Sequence, residues 1–204
     1  MCRCIGEKIM EKDRNKKIEK TKANILKALL VLLQCKEINE ISIRELTEVA
    51  HIHRNTFYIH YTDIYDILAE VEEDMCRKVK EMTDEMEPAQ LKENLEAVLK
   101  RVFEYLYQER EKCGLIMRYR GSVSSGKGLV ESIFVKYLNA FPNTFDEASV
   151  EFQVQFYYCT TGAMGIVRYW MEHDFKESPQ KMSVLTAKLL TRGIQGALEE
   201  ARRG

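Results

Sequence analysis

Three prolines and ten glycines in 204 residues leave few places where a helix must stop. Runs of β-branched residues are also scarce. Both scarcities weigh against sheet and point to an all-α fold. No apolar run approaches the roughly eighteen residues that a membrane span needs. The opening "MCRCIGEKIMEKDRNKKIEK" has no apolar signal core. Export and membrane insertion are therefore not expected, and the chain is read as cytoplasmic. The six cysteines, at positions 2, 4, 35, 76, 113 and 159, include no Cys-x-x-Cys pair, so the spacing of a zinc site is missing. They read as reduced thiols, mostly buried, with Cys2 and Cys4 on an end expected to be mobile. No phosphate loop and no Cys/His/Asp constellation stands out, which makes an enzyme the remote alternative. Internal repeats and low-complexity segments are absent, and no cofactor or metal is expected.

A strong charge bias is lacking as well, since the net charge is only −1. Its distribution is more informative. Residues 1–62 carry +4, residues 63–100 carry −7 and residues 101–204 carry +2. A basic leading segment followed by an acidic one suggests that one end faces a polyanion. The remaining composition, 45% hydrophobic and 31% charged, is that of a folded chain.

Apolar spacing predicts a first helix from about Lys17 to Cys35. Ser42 with Glu45 three residues on forms a capping-box pattern and opens a short helix over Ile43–Ala50. The turn "HIH" follows, then a second short helix from about Arg54 to Tyr61. Thr62 or Asp63 caps a further helix running to about Met86. "EMEPAQ" around Pro88 marks a break. Beyond it, helices are expected at about 91–108, 110–120, 128–141, 149–173 and 179–202, with "GSVSSGKG" (121–128) as a loop. The expected division is an N-terminal part at 1–62 and a second part at 63–204, with a further candidate boundary near Pro88.

Two short helices joined by a three-residue turn make a helix-turn-helix unit, whose second helix enters the DNA major groove. Phe57 and Tyr61, four apart, give that helix an inward side. Arg54, Asn55, Tyr58 and Ile59 lie opposite. Arg54 can meet a guanine edge and Asn55 an adenine edge. Thr56, Tyr58 and His60 suit phosphate oxygens, as do Ser42 and Arg44 at the preceding helix start. Lys20, with Lys16 and Lys17, adds attraction that does not depend on sequence. His53, at the cap of the second helix, completes the DNA-facing set. His51 and His53, at i and i+2 on one short turn without a third ligand, read as ordinary turn residues and not as metal ligands.

With "VAHIHRNTFYIHYTDIYDIL" in view, residues 17–68 resemble the DNA-binding domain of the TetR family of transcriptional regulators. "TFYIHY" is the specific match. A weaker echo lies in "GAMGIVRYWMEHDFKESPQKM". Three positions depart from the pattern: His51 stands where glycine is usual, His53 where a serine cap is usual, and Ile64 or Tyr65 where a lysine is frequent. The first would place a non-glycine residue at positive φ.

The resemblance implies an N-terminal three-helix DNA-binding domain and a C-terminal helical domain that binds an effector and dimerises. Implied pocket residues are Phe103, Tyr107, Met117, Phe134, Tyr137, Phe156 and Met164, although methionine and aromatic stripes at helical spacing are more often plain core. Implied interface residues are Phe152, Cys159, Ala163, Ile166, Trp170, Leu185 and Leu189, with small Gly162 and Gly165 allowing close helix approach. A two-fold dimer also makes physical sense, because one short recognition helix reads few bases alone. The implied partners are double-stranded operator DNA, a second copy of the chain and a small-molecule effector. The implied function is that of a repressor released by its effector. The alternative is an activator controlled by a protein partner.

Overall fold

The computed structural model describes residues 2–84, 94–120, 124–139 and 148–201. Among them all regular structure is helical and no strand forms. The helices are α1 (Cys2–Leu32), α2 (Ile43–Val49), α3 (Arg54–His60), α4 (Ile64–Asp84), α5 (Leu95–Gln108), α6 (Arg110–Arg120), α7 (Ser124–Leu138), α8 (Val150–Glu172) and α9 (Pro179–Ala201), with a 3-10 turn at Ile38–Glu40. No helix among the described residues is long and apolar enough to cross a membrane.

Two boundaries differ from the sequence expectation. Helix α1 runs back to Cys2 instead of starting near Lys17, so Cys2 and Cys4 sit on helical backbone. Its leading turns are rich in Lys, Glu and Arg, good helix formers that leave no apolar periodicity to detect. Helix α7 starts at Ser124, inside the segment expected to be a loop. The break expected near Pro88 lies outside the described residues.

The chain divides into two compact units, residues 1–70 and residues 71–204. In the first, α1 packs on α2 and α2 on α3. Ile25 and Leu29 of α1, Leu46 and Ala50 of α2, Phe57 of α3, and Ile64, Ile67 and Leu68 at the start of α4 are all buried. Lys22 of α1 reaches Glu70 of α4 at 2.6 Å, and its ammonium stands 5.8 Å from the centre of the Tyr61 ring.

In the second unit, α5 packs along α9, α8 packs against α7 and α9, and α6 meets α8. One cluster holds Leu95, Val98, Phe134, Tyr137, Cys159 and Ala187. Another is built on Phe103, Trp170 and Met182, and Leu99 packs against both clusters. Trp170 meets Phe103 edge-on at 5.2 Å and Phe175 at 4.9 Å, while its indole N–H donates to the Glu177 carbonyl at 2.9 Å. That bond satisfies the one polar atom of a ring that is 1% exposed. Lys136 of α7 donates to the Thr83 and Asp84 carbonyls at 2.8 and 2.9 Å. It thus places a cation and its donors on the last described carbonyls of α4.

Candidate functional site

The first candidate is built by α2, its turn and α3. Ser42 caps α2 by accepting from the Glu45 N–H at 3.2 Å. The reciprocal half of the capping box is replaced: the Glu45 carboxylate accepts from Lys36 at 2.6 Å. At the other end the His51 N–H donates to Glu48 O and the Ile52 N–H to Thr47 O, at 3.2 and 3.0 Å. That pair is a Schellman end, which needs a left-handed residue at its first exit position. His51 takes it with φ 54°, as its place in the turn suggested. Fixing this bend fixes the angle at which α3 leaves α2.

Helix α3 then starts at Arg54 behind His53, whose side chain makes no capping bond. Phe57 is fully buried and Tyr61 nearly so, their rings 5.7 Å apart. On the other side Arg54 and Asn55 are exposed, Tyr58 is 50% exposed and Ile59 76%. The Arg54 guanidinium lies 3.5 Å from the Tyr58 hydroxyl, one turn on. Thr56 and His60 are half-buried at the flanks, and His53, Ser42 and Lys20 are exposed. Arg44 is exposed in an ion pair with Glu48 at 2.9 Å. Such a surface pair is weak and can be given up at little cost to a stronger anion. All nine candidates therefore have at least partly open side chains; eight lie on α2, α3 and their caps, and Lys20 lies apart on α1.

The start of α4 is held by a separate polar knot. Asp66 accepts from both the N–H and the hydroxyl of Thr62, while its own N–H donates to Asp63 at 3.0 Å. The Thr62 hydroxyl first, and then the backbone bonds, hold the Asp66 carboxyl below its ordinary range.

The second candidate is a cavity of about 160 Å³ in the second unit. Phe103, Phe134, Tyr137 and Met164 line it, together with Met75 and Val79 of α4 and Leu190 of α9. Of the other pocket residues that the resemblance implied, Tyr107 and Phe156 do not line it. Tyr107 is exposed, stacked on Trp170 at 6.2 Å with the Arg110 guanidinium over its ring. Phe156 tilts against Phe134 at 5.4 Å, within the packed cluster. The Met117 side chain lies outside the described residues. Cys76 and Cys159 also line the cavity, and burial raises both thiols above their ordinary range. The sequence reading had placed neither on the cavity and had put Cys159 on the dimer interface, since spacing gives a helix face but not what packs against it.

The third candidate is the outer side of α8 and α9. Leu185 and Leu189, one turn apart on α9, are 44% and 55% exposed. Phe152, Ala163 and Ile166 are half-buried, and Ala163 lines the cavity. Cys159 and Trp170 are buried inside the unit and unavailable to a partner. Exposed apolar residues not singled out in the sequence are Val150, Val154, Tyr158 and Tyr169. Val154, Tyr158, Gly165 and Tyr169 fall in one helical stripe, and a side chain built at Gly162 or Gly165 would meet nothing within 4 Å. The signal that finds them is the combination of helical spacing with burial, which sequence alone does not supply.

A helix-turn-helix with an open polar face, followed by a second helical unit containing a cavity, defines the class of helix-turn-helix regulators with a separate C-terminal part. Comparisons with known proteins agree. A TetR-type family model, described as a transcriptional regulator C-terminal region, matches residues 93–192. An uncharacterised HTH-type transcriptional regulator, YxbF of Bacillus subtilis (strain 168), is 24% identical over 169 residues, which make up 81% of this chain and 43% of that protein. The chain thus spans less than half the length of that relative. Among solved structures, the dihydroxyacetone kinase operon activator DhaS superposes with a TM-score of 0.62 at 18% identity, over 86% of this chain and 96% of that one. A TetR-family regulator from Streptomyces coelicolor gives 0.61 at 14% identity, over 89% of each chain. The TetR regulator of Streptococcus agalactiae 2603V gives 0.52 at 17% identity, over 89% of this chain and 98% of that one. Residues 93–192 thus match the C-terminal region of TetR-type transcriptional regulators, and the chain shares the fold of TetR-family structures.

Proposed function

We propose that the protein is a cytoplasmic homodimeric repressor that binds operator DNA through α3 and the start of α2 and is released by a small apolar effector. The observation that carries this reading is the division of one seven-residue helix. Phe57 is sealed in the core while Arg54, Asn55, Tyr58 and Ile59 stand open. A face of that kind gains nothing from folding, because its hydrogen-bonding groups are left to water. A major groove offers those groups partners. In this reading Arg54 and Asn55 read base edges. Ser42, Arg44, Thr56, Tyr58 and His60 hold phosphates, with His53 beside the helix start and Lys20 contributing from α1. DNA binding belongs to residues 1–62. Residues 63–204 bind the effector and dimerise, the second copy seating on the exposed stripe of α8 and on Leu185 and Leu189. Two copies double the base contacts, which a single helix of this length needs for specificity.

The test is a gel shift at two salt concentrations with DNA from upstream of the protein's own gene. Sequence-selective binding that falls steeply with salt is expected, because each neutralised phosphate releases counterions. Absence of binding at low salt refutes the reading. A reporter fused to the same DNA gives the sign of regulation: expression that rises on deleting the gene fits a repressor, and expression that falls makes the protein an activator.

A further inference from the structure

The cavity in the second unit has a wall of unusual uniformity. It presents carbon and sulfur and no nitrogen or oxygen. Glu72, Thr83 and Thr186 contribute to it without turning a polar atom inward. The Thr83 hydroxyl donates to the Val79 and Lys80 carbonyls of its own helix. The Thr186 hydroxyl is buried without a hydrogen-bond partner among the described residues, and it does not face the cavity either. Burial keeps the Cys76 and Cys159 thiols and the Tyr137 phenol in their neutral forms. No Lys, Arg or His is among the described lining residues.

Size narrows the ligand further. A volume of about 160 Å³ is close to the ~150 Å³ of dry engineered cavities that take up benzene. It is smaller than the roughly 300–1,000 Å³ of sites for drug-sized ligands. The wall chemistry selects within that size. Phe103 and Phe134 offer rings for edge-to-face contact. Met75, Met164 and Met171 bring three thioethers, which prefer the edge of an aromatic ring. An aliphatic guest would gain from neither feature.

We propose that the cavity binds an uncharged monocyclic aromatic hydrocarbon of the toluene class. The proposal rests on the reading of residues 63–204 as the effector-binding part and names the effector's chemistry. A hydroxyl on the ring enters without a partner, and a carboxylate enters without a cation. Both are selected against by the wall itself. Helix α4 supplies Met75, Cys76 and Val79 to the wall and begins four residues after α3 ends, so the guest touches the helix that continues from the recognition element.

The experiment titrates the full chain with toluene, phenol and benzoate, read by calorimetry and by the fluorescence of Trp170. Trp170 is the chain's one tryptophan and lies edge-on to the cavity residue Phe103. Toluene is expected to saturate at one per chain, phenol to bind about tenfold or more weakly because its hydroxyl is desolvated without a partner, and benzoate not to bind. Ala163→Leu fills the space and should abolish toluene binding with helix content unchanged. Should that variant fail to fold, Val130→Phe on α7 asks the same question from another wall. Phenol or benzoate binding as tightly as toluene overturns the proposal. So does the absence of saturable toluene binding, or toluene binding that survives a folded, filled variant. Selective operator binding by a preparation that takes up no toluene overturns the ligand class and leaves the regulator reading standing. Toluene uptake without operator binding does the reverse.

Discussion

Helices α3 and α8 both present a broad open face, and the two faces are opposite in chemistry. On α3 the open residues are Arg54, Asn55, Tyr58 and Ile59, three of them hydrogen-bonding. On α8 they include Val150, Val154, Tyr158 and Tyr169, whose exposed area is mainly aliphatic or aromatic. Charged, directional groups suit a nucleic acid, which repels a greasy surface and rewards cations and donors. A contiguous apolar stripe on a small folded unit suits another protein chain. Exposure alone does not separate the two faces, whereas exposure together with side-chain chemistry gives the kind of surface that each one suits.

The largest expected effect breaks the comparison within one helix. Phe57→Ala removes a ring with no exposed surface and should cost about 3–5 kcal/mol of stability, with DNA binding lost through unfolding of the first unit. Ile59→Ala, two residues on and 76% exposed, should leave stability within about 0.5 kcal/mol. Thermal or urea melts of the pair check this. Equal losses would mean that α3 does not divide into a packed and an open side.

Next come the two open faces themselves. Val154→Asp combined with Leu189→Asp places charge on the outer stripe without touching the core. Light scattering should show a monomer, because truncating central apolar anchors typically costs about 2 kcal/mol or more each. A dimer that persists would put the interface elsewhere. On α3, Arg54→Ala should relax base preference at one position by about 1–3 kcal/mol, while Tyr58→Phe should weaken all sites by a similar, smaller factor. Binding measured against a panel of single-base operator variants separates the two, and the reverse pattern would exchange their roles.

Much of the first unit was legible in the sequence, because its information is local. A cap at Ser42, a turn at 51–53 and the i, i+4 pair Phe57 and Tyr61 each constrain a few neighbouring residues, and each appears in the structure within a residue of its expected place. The second unit was legible as helices and not as surfaces. Trp170 and Leu189 both read as apolar residues at helical spacing, yet one is 1% and the other 55% exposed. The difference is set by which helix packs opposite, a long-range fact that periodicity does not carry. The same holds for Tyr107, which has the composition of a pocket residue but is taken up by stacking on the outside of Trp170.

The bends at the ends of α2 and α8 sharpen the comparison at a smaller scale. Both are Schellman ends with a non-glycine residue in the left-handed region, His51 at φ 54° and Asp174 at φ 53°. At α8 the motif is reinforced by the contact of Phe175 with Trp170, 4.9 Å between ring centres, the apolar partner that usually accompanies it. At α2 the exposed His51 must bear the strain without such a ring pair. His51→Gly should therefore stabilise the first unit by about 0.5–1 kcal/mol, and His51→Val should destabilise it by more. A melt showing His51→Gly below wild type would mean that the imidazole makes a compensating contact.

The smallest effect concerns the junction after α3, where Asp66 gathers both Thr62 donors. Its carboxyl is held below the ordinary value of 3.8, chiefly by the Thr62 hydroxyl. A carboxylate whose folded value lies below its unfolded one adds stability that is fully present above the unfolded value. That stability is lost as pH falls through the folded one. Asp66→Asn keeps the shape but not the charge, so wild type should melt above the variant at neutral pH. The gap should stay constant down to about pH 4 and close below it. Because the group is open to solvent the gap should be small and should shrink with salt. A gap that persists unchanged into strong acid would show that the knot is held by shape and not by charge. The start of α4 would then be indifferent to the ionisation of Asp66.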